Sequence, residues 1–201
     1  MGSRIMHFCI SNILSINLKD DKNRFLIGGL IVDIPQLINK PKDEAHFMNE
    51  YSNLFRYDYE AFFHKYRENF NDPLFQGYFC HLVSDEMWFN KILNKYFGTE
   101  APSEEIVKKY YNDFYKLNGR LIEQFKLKNN IAMVDNIAIN EVNTNMINYM
   151  LEAVCADFQY GKELLKEPLE VLNFDEIIDY INEAAERCTY ELKQRINISS
   201  F

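Results

Sequence analysis

A chain of 201 residues, 47% hydrophobic and 15% aromatic, is long enough to bury a core as one domain without disulfides and lies far from a disordered composition. Its formal net charge of −8, with no basic stretch to offset it, excludes binding to a phosphate backbone, so nucleic acid is not an expected partner. The longest apolar runs, such as residues 25–32, are much too short to span a bilayer, which excludes stable membrane insertion.

Residues 1–18 lack the charged start, long apolar stretch and small-residue cleavage site of a signal peptide. Cys9, Cys80, Cys155 and Cys188 have no paired spacing, so free thiols in a reducing, cytoplasmic compartment are expected. In chain order, Ile5, Phe8, Cys9, Ile13 and Ile16 recur near a helical period and predict a first helix over 5–17, which carries His7. Residues 24–32 are almost continuously apolar and include Gly28 and Gly29, predicting a buried helix or turn with close backbone approach that ends at Asp33. A punctuated stretch, Lys40-Pro41-Lys42-Asp43-Glu44, leads directly to His46. Residues 58–70 and 74–97 read as helices separated by Asn71-Asp72-Pro73, a cap followed by an early-helix proline.

A second break spans 98–103. Neither break is long or polar enough to be an interdomain linker, so 1–201 reads as one domain. Ser103 caps the next helix, with Glu104 and Glu105 at its positive end, and that helix runs to about residue 126. A further helix is predicted over roughly 139–160, starting in the polar stretch Asn140-Glu141-Val142-Asn143-Thr144 and stopping at Gly161. Asn173 with Glu176 resembles a capping box, and Ile177, Ile178, Ile181, Ala184, Ala185, Cys188 and Leu192 then form one apolar stripe. No alternating strand finds a partner. The expected class is all-α, a single-domain multi-helix bundle.

The chemistry concentrates between Gly77 and Phe89. His81 and Asp85 stand four residues apart with no glycine or proline between them, so a helix stacks them on one face. An imidazole and a carboxylate converging on one point make half of a divalent-metal site. The bland alternative is an intrahelical pair contributing about 0.2–0.5 kcal/mol. Asp85, however, shares its face with Tyr78, Leu82 and Phe89, and an inward carboxylate is costly unless paired or metal-bound. Asp33 ends a buried run, although an aspartate before Ile34-Pro35 also suits a turn. His7, Asp33, His46, His81 and Asp85, with little cationic charge among their apolar neighbours, favour a metal centre.

Of the other candidates, His64 reads as a helix-surface residue. Tyr110, Asp113 and Leu117 share a face, so Asp113 could enter a pocket as a base or extra ligand, or remain a solvated helix residue. Arg120, on a neighbouring face, could bind phosphate. Cys80 points about 100° away from His81 on a helix and reads as core.

Taken in order, His7-Phe8, the glycine-containing run ending in Asp33-Ile34, Lys42-x-x-x-His46-Phe47 and Gly77-Tyr78-Phe79-x-His81-Leu82-x-x-Asp85-x-x-Trp88-Phe89 resemble the zinc-dependent phospholipase C family. The similarity covers about residues 6–90 and is to small bacterial members rather than to the secreted toxins. It implies that fold, with Asp33, His46, His81 and Asp85 around one zinc and Asp85 bridging to a second metal held by His7. The secreted enzymes also use a mature N-terminal tryptophan, a later histidine and a His-x-x-x-Glu pair. No histidine follows His81 here, so one or two ions are expected rather than three. Imidazoles with carboxylates suit zinc, iron, manganese or nickel.

The expected function is that of a metal-dependent hydrolase acting on a small-molecule, intracellular phosphoester. A metal would lower the pKa of a bound water toward about 7, Asp85 would orient it, and Asp33 or Asp113 would accept its proton. Two alternatives stay open. One is an HD-type nucleotide phosphohydrolase, against which the missing adjacent His-Asp pair counts. The other is a non-catalytic, metal-stabilised binding protein with a closed four-ligand site. Oligomeric state, substrate and leaving group are not set by the sequence.

Overall fold

The computed structural model describes residues 2–18, 21–51, 54–98 and 101–196, and within these the chain is all-α apart from one short hairpin. Helix α1 (Arg4–Leu14) opens with a capping box. The Ser3 hydroxyl accepts from the Met6 N–H, and the Ser3 N–H reaches the Met6 sulfur. After a 3-10 turn come α2 (Lys22–Ile31) and the single turn α3 (Ile34–Leu37). Strands β1 (Met48–Tyr51) and β2 (Leu54–Tyr57) pair antiparallel, with Met48 opposite Tyr57. Four-residue strands are too short for a period of two to stand out, which is why no pairing was expected from the sequence.

Helix α4 (Tyr59–Lys65) is capped by Asp58, and α5 (Pro73–Trp88) follows Asp72 and an N1 proline as expected. The Asp72 carboxylate has two tasks. It accepts from the Leu74 N–H at 3.0 Å and takes Arg24 of α2 bidentately at 2.5 and 2.6 Å. A π-helical turn at Phe89–Leu93 leads into α6 (Asn94–Phe97). Helices α7 (Glu104–Gln124), α8 (Ile147–Asp157) and α9 (Phe174–Ile196) complete the bundle. Among the described residues, no helix is long and apolar enough to cross a membrane.

Helix α5 is the central element. Every residue from Leu74 to Asp85 is buried, and α2, α9, α4 and α1 pack around it. A helix apolar on all sides can sit nowhere else. Its contact with α2 is backbone against backbone. A Cβ at Gly28 would lie 1.9 Å from the Leu74 carbonyl oxygen, and one at Gly77 would lie 2.1 Å from that of Phe25. Of the two glycines of α2, Gly28 serves this contact together with Gly77 of α5, whereas a Cβ at Gly29 would lie 2.2 Å from the Ser11 hydroxyl oxygen of α1.

The predicted helix over 139–160 is shorter than expected at both ends. Residues 125–143 have no regular structure apart from a turn, and α8 begins only at Ile147, after a 3-10 turn capped by Asn143. Ile139 and Val142 are buried, so their spacing reports packing of an extended strap rather than a helix face. That strap is fastened by side chains. Asn23 exchanges hydrogen bonds with the Ala132 backbone, and Arg24 donates to the carbonyls of Asp135 and Asn136. The Asn143 side chain competes for backbone amides and places the start late. The chain leaves α8 at Asp157, before Gly161 can act as a cap. In α9, Asn173 accepts from the Glu176 N–H at 3.2 Å. Ile177, Ile181, Ala184, Ala185 and Cys188 are buried against α1 and α5, with Ile178 and Leu192 at the edge of that stripe.

Candidate metal centre

Four segments deliver five side chains to one point. His7 comes from α1, Asp33 from the α2–α3 junction, His46 from the turn before β1, and His81 and Asp85 from successive turns of α5. Each delivery has a local cause. The backbone contact of α2 with α5 lets His81 Nδ1–H donate to the Gly29 carbonyl at 2.8 Å. His46 closes its own turn, with Nδ1–H donating to the Lys42 carbonyl at 3.0 Å. The same turn is pinned to α5 by the Tyr78 hydroxyl, which donates to the carbonyl of Ala45. Ser84 donates its hydroxyl proton to the His81 carbonyl at 2.8 Å, so its oxygen accepts from His7 Nδ1–H at 3.1 Å.

These contacts determine the tautomers. All three imidazoles use the Nδ1 proton on the scaffold, so each turns the bare Nε2 lone pair inward. Facing them are the two oxygens of Asp85, 0% exposed, and Asp33, 5% exposed. The Nε2 atoms lie 3.3 Å (His7 and His81) and 3.5 Å (His46) from Asp85, and 3.5 Å (His46) and 3.9 Å (His81) from Asp33. None of the three Nε2 atoms and neither Asp85 oxygen has a hydrogen-bond partner.

Acceptors facing acceptors in a dry interior need a cation between them. Protons would supply it only through charge-assisted bonds of about 2.7–2.9 Å, shorter than any of these contacts. A metal accounts for the spacing. Two ligands on a tetrahedral ion with bonds of about 2.0–2.1 Å are about 3.3–3.4 Å apart. The cluster has the donors and the geometry to hold a metal ion, and two overlapping triplets can do so: His7, Asp33 and His81, and His46, His81 and Asp85.

The electrostatics favour one positive charge among the rings, whether a proton or a metal ion. The His7 and His81 rings stack with centroids 3.7 Å apart, so both cannot carry a proton cheaply. Burial pushes the His7 pKa down, and the neighbouring His81 adds to the effect. Burial also disfavours a charged His81, but Asp85 and Asp33 overcome it and leave that pKa raised. For Asp85 and Asp33 burial alone would raise the pKa. The histidines around them outweigh it, and both carboxyls are held well below their usual range.

Asp33 is the member that opens outward. With Gln36, whose amide donates to it at 3.2 Å, it lines a pocket shared with Arg4, Lys42, Tyr57 and the aromatic residues of α7. Lys42, Tyr57 and the Arg4–Asp157 pair (2.7 Å) were not read as site residues from the sequence, and neither was Ser84. Lys42 was visible only as part of the Lys42-x-x-x-His46-Phe47 motif, and Ser84 as a polar residue inside the inward face of an apolar helix.

Asp113 is a correction. It is neither solvated nor in the pocket. It is 0% exposed, and its carboxylate accepts from the backbone N–H groups of Glu170, Val171 and Leu172 at 2.8–3.1 Å. It anchors that loop, and it lines neither the cluster nor the pocket beside Asp33. Arg120 likewise donates to the Glu167 carbonyl. His64 is exposed on α4, away from the cluster. Cys9, Cys80 and Cys188 are buried core residues, and Cys155 is exposed.

Comparison with known proteins gives no match: no family model, no curated protein and no solved structure is significantly similar to the chain.

Proposed function

We propose that the chain is a metal-dependent hydrolase of small phosphoesters, of the zinc-dependent phospholipase C type, with zinc as its metal. One observation carries the reading: three inward Nε2 lone pairs and both Asp85 oxygens are buried without hydrogen bonds at ligand-to-ligand spacing, beside a pocket that reaches Asp33. Zinc bound there would supply a Lewis acid and water of pKa about 7.

The chain's own groups would do the rest. Asp85, with an oxygen directed to each side, suits one ion or a bridged pair. Asp33 borders the pocket, which supports it as the carboxylate that would take a proton from an attacking water when it is not itself a ligand. Gln36 would hold Asp33 in orientation. The Tyr57 hydroxyl, whose pKa is raised chiefly by burial, would remain a donor at neutral pH. Near-complete burial of His7, His46, His81 and Asp85 favours a second reading, a closed structural site that stabilises a binding protein.

Protein purified without chelator is expected to carry about one equivalent of metal or more, and less than about a tenth would overturn the premise. His81→Ala and Asp85→Ala should each lower metal affinity by more than the roughly 10–100-fold typical of an outer partner. Both should also abolish turnover of phosphomonoesters or phosphodiesters. Metal-loaded protein that turns over none of these would leave the structural reading.

A further inference from the structure

We infer that the pocket against Asp33 is a binding site for a phosphoester that bears an aromatic ring, with Lys42 taking the negative charge and the exposed tyrosines of α7 taking the ring. What becomes of the bound molecule rests on the hydrolase reading above; its recognition does not.

Charge is the first argument. The pocket is lined by two cations, Arg4 and Lys42. Arg4 is neutralised by Asp157 at 2.7 Å. Lys42 has no carboxylate partner among the described residues, and its Nζ lies 5.9 Å from the centroid of the Tyr57 ring, which also borders the pocket. Its sequence neighbours Asp43 and Glu44 line a different pocket, with Ile34 and Pro35. It is the Lys42 carbonyl that holds His46, so the ammonium is not needed for the cluster. The two carboxylates of the cluster match one divalent ion in charge. Lys42 is then the unbalanced charge of the pocket, and it is positive. An anion held between it and the cluster answers both.

Shape is the second argument. Tyr110, Tyr111, Phe114 and Tyr115 present a continuous aromatic side of α7 to the pocket. Its inner part is fixed. The Trp88 Nε1–H donates to the Tyr110 hydroxyl at 3.0 Å, and Tyr110 packs on Phe114 (4.7 Å) and Phe97 (5.2 Å). Its outer part is not covered, since Tyr111 is 56% and Tyr115 67% exposed. A single exposed tyrosine is ordinary. Two lining a pocket that reaches the His/Asp cluster at Asp33 offer a stacking face for a flat ring.

The test uses metal-loaded protein and two phosphonates that cannot be hydrolysed, titrated by calorimetry. Phenylphosphonate is expected to bind about tenfold more tightly than methylphosphonate. A Tyr111→Ala, Tyr115→Ala double variant should bind the two equally, because only the ring loses its contact. Lys42→Met should weaken both by a similar factor of about ten. All three side chains reach solvent, and unchanged thermal midpoints will confirm that the variants fold. Equal affinity of the native protein for the two ligands would overturn the inference. So would a ring preference that survives the tyrosine changes, or affinities unmoved by Lys42→Met. Binding in the expected pattern without turnover of phenyl phosphate removes the hydrolase reading and keeps this one. Turnover of phosphoesters with no ring preference does the reverse.

Discussion

Each imidazole of the cluster has its Nδ1–H spent on the protein, so its state of charge is decided at Nε2, where a proton and a metal ion would compete. In the metal-free protein the effects of His7 and His81 oppose one another. His7, held below 6.5 by burial and by His81, contributes stability that is present above its unfolded pKa and lost as pH falls. His81, raised above 6.5 by Asp85 and Asp33 against its burial, contributes stability present below its unfolded pKa and lost as pH rises through the raised value. The His7 loss falls below about pH 6.5 and the His81 loss above it, so the metal-free Tm is expected to peak near pH 6.5 and to fall on either side. The rise in Tm caused by zinc should instead shrink steeply below about pH 6.5, because every bound Nε2 must shed its proton. Thermal scans with and without zinc across this range check it, and a zinc effect undiminished at about pH 5 counts against Nε2 ligation. The depressed carboxyls add a loss of stability only in stronger acid. His81 and Asp85 could be paired from the sequence because a helix repeats every few residues. Lys42 and Tyr57 could not be assigned to the pocket, because what faces them is α7, more than fifty residues later, and no local pattern encodes that.

Among the elements, α7 shows most clearly where periodicity stops being informative. The shared face of Tyr110, Asp113 and Leu117 is legible in the sequence, and all three are buried. The partner of that face is the 170–172 loop, whose backbone amides close on the Asp113 carboxylate. Asp113→Ala is expected to cost about 2–4 kcal/mol, since it strips three backbone amides, that of Leu172 buried, of a charged acceptor. Metal content should be unchanged. Denaturant unfolding with metal analysis of the same samples decides the point, and loss of metal without loss of stability would return Asp113 to the site. The strap over 125–143 teaches the converse. Its apolar residues are spaced as on a helix, but its amides and carbonyls go to Asn23, Arg24 and Tyr66, and only a side chain distant in sequence could reveal that.

At the scale of the whole molecule, the first ninety residues carry every member of the cluster, and the later helices brace and wall it. From α9, the Tyr180 hydroxyl donates to the Ser84 carbonyl at 2.9 Å and Cys188 donates to that of Cys80, which backs the two turns of α5 that bear His81 and Asp85. The all-α class was readable because α1, α7 and α9 are periodic, each with a side-chain cap at its start, and Asp72 with Pro73 marks the start of the wholly buried α5. The hairpin was not, because it is short.

The meeting of Gly28 with Leu74 and of Gly77 with Phe25 has one more result. Side chains in contact can rotate and make room, but two main chains pressed together cannot. The opening between His81 and the residues carried by α1 and α2 is therefore a fixed gauge, set before any ion arrives. A larger ion that accepts the same imidazole and carboxylate ligands, as cadmium does, asks that frame to widen. At equal concentration zinc should raise Tm more than cadmium, and equal stabilisation by both would mean that the frame yields. Glycines that touch no metal would thus act as a sieve for ionic radius.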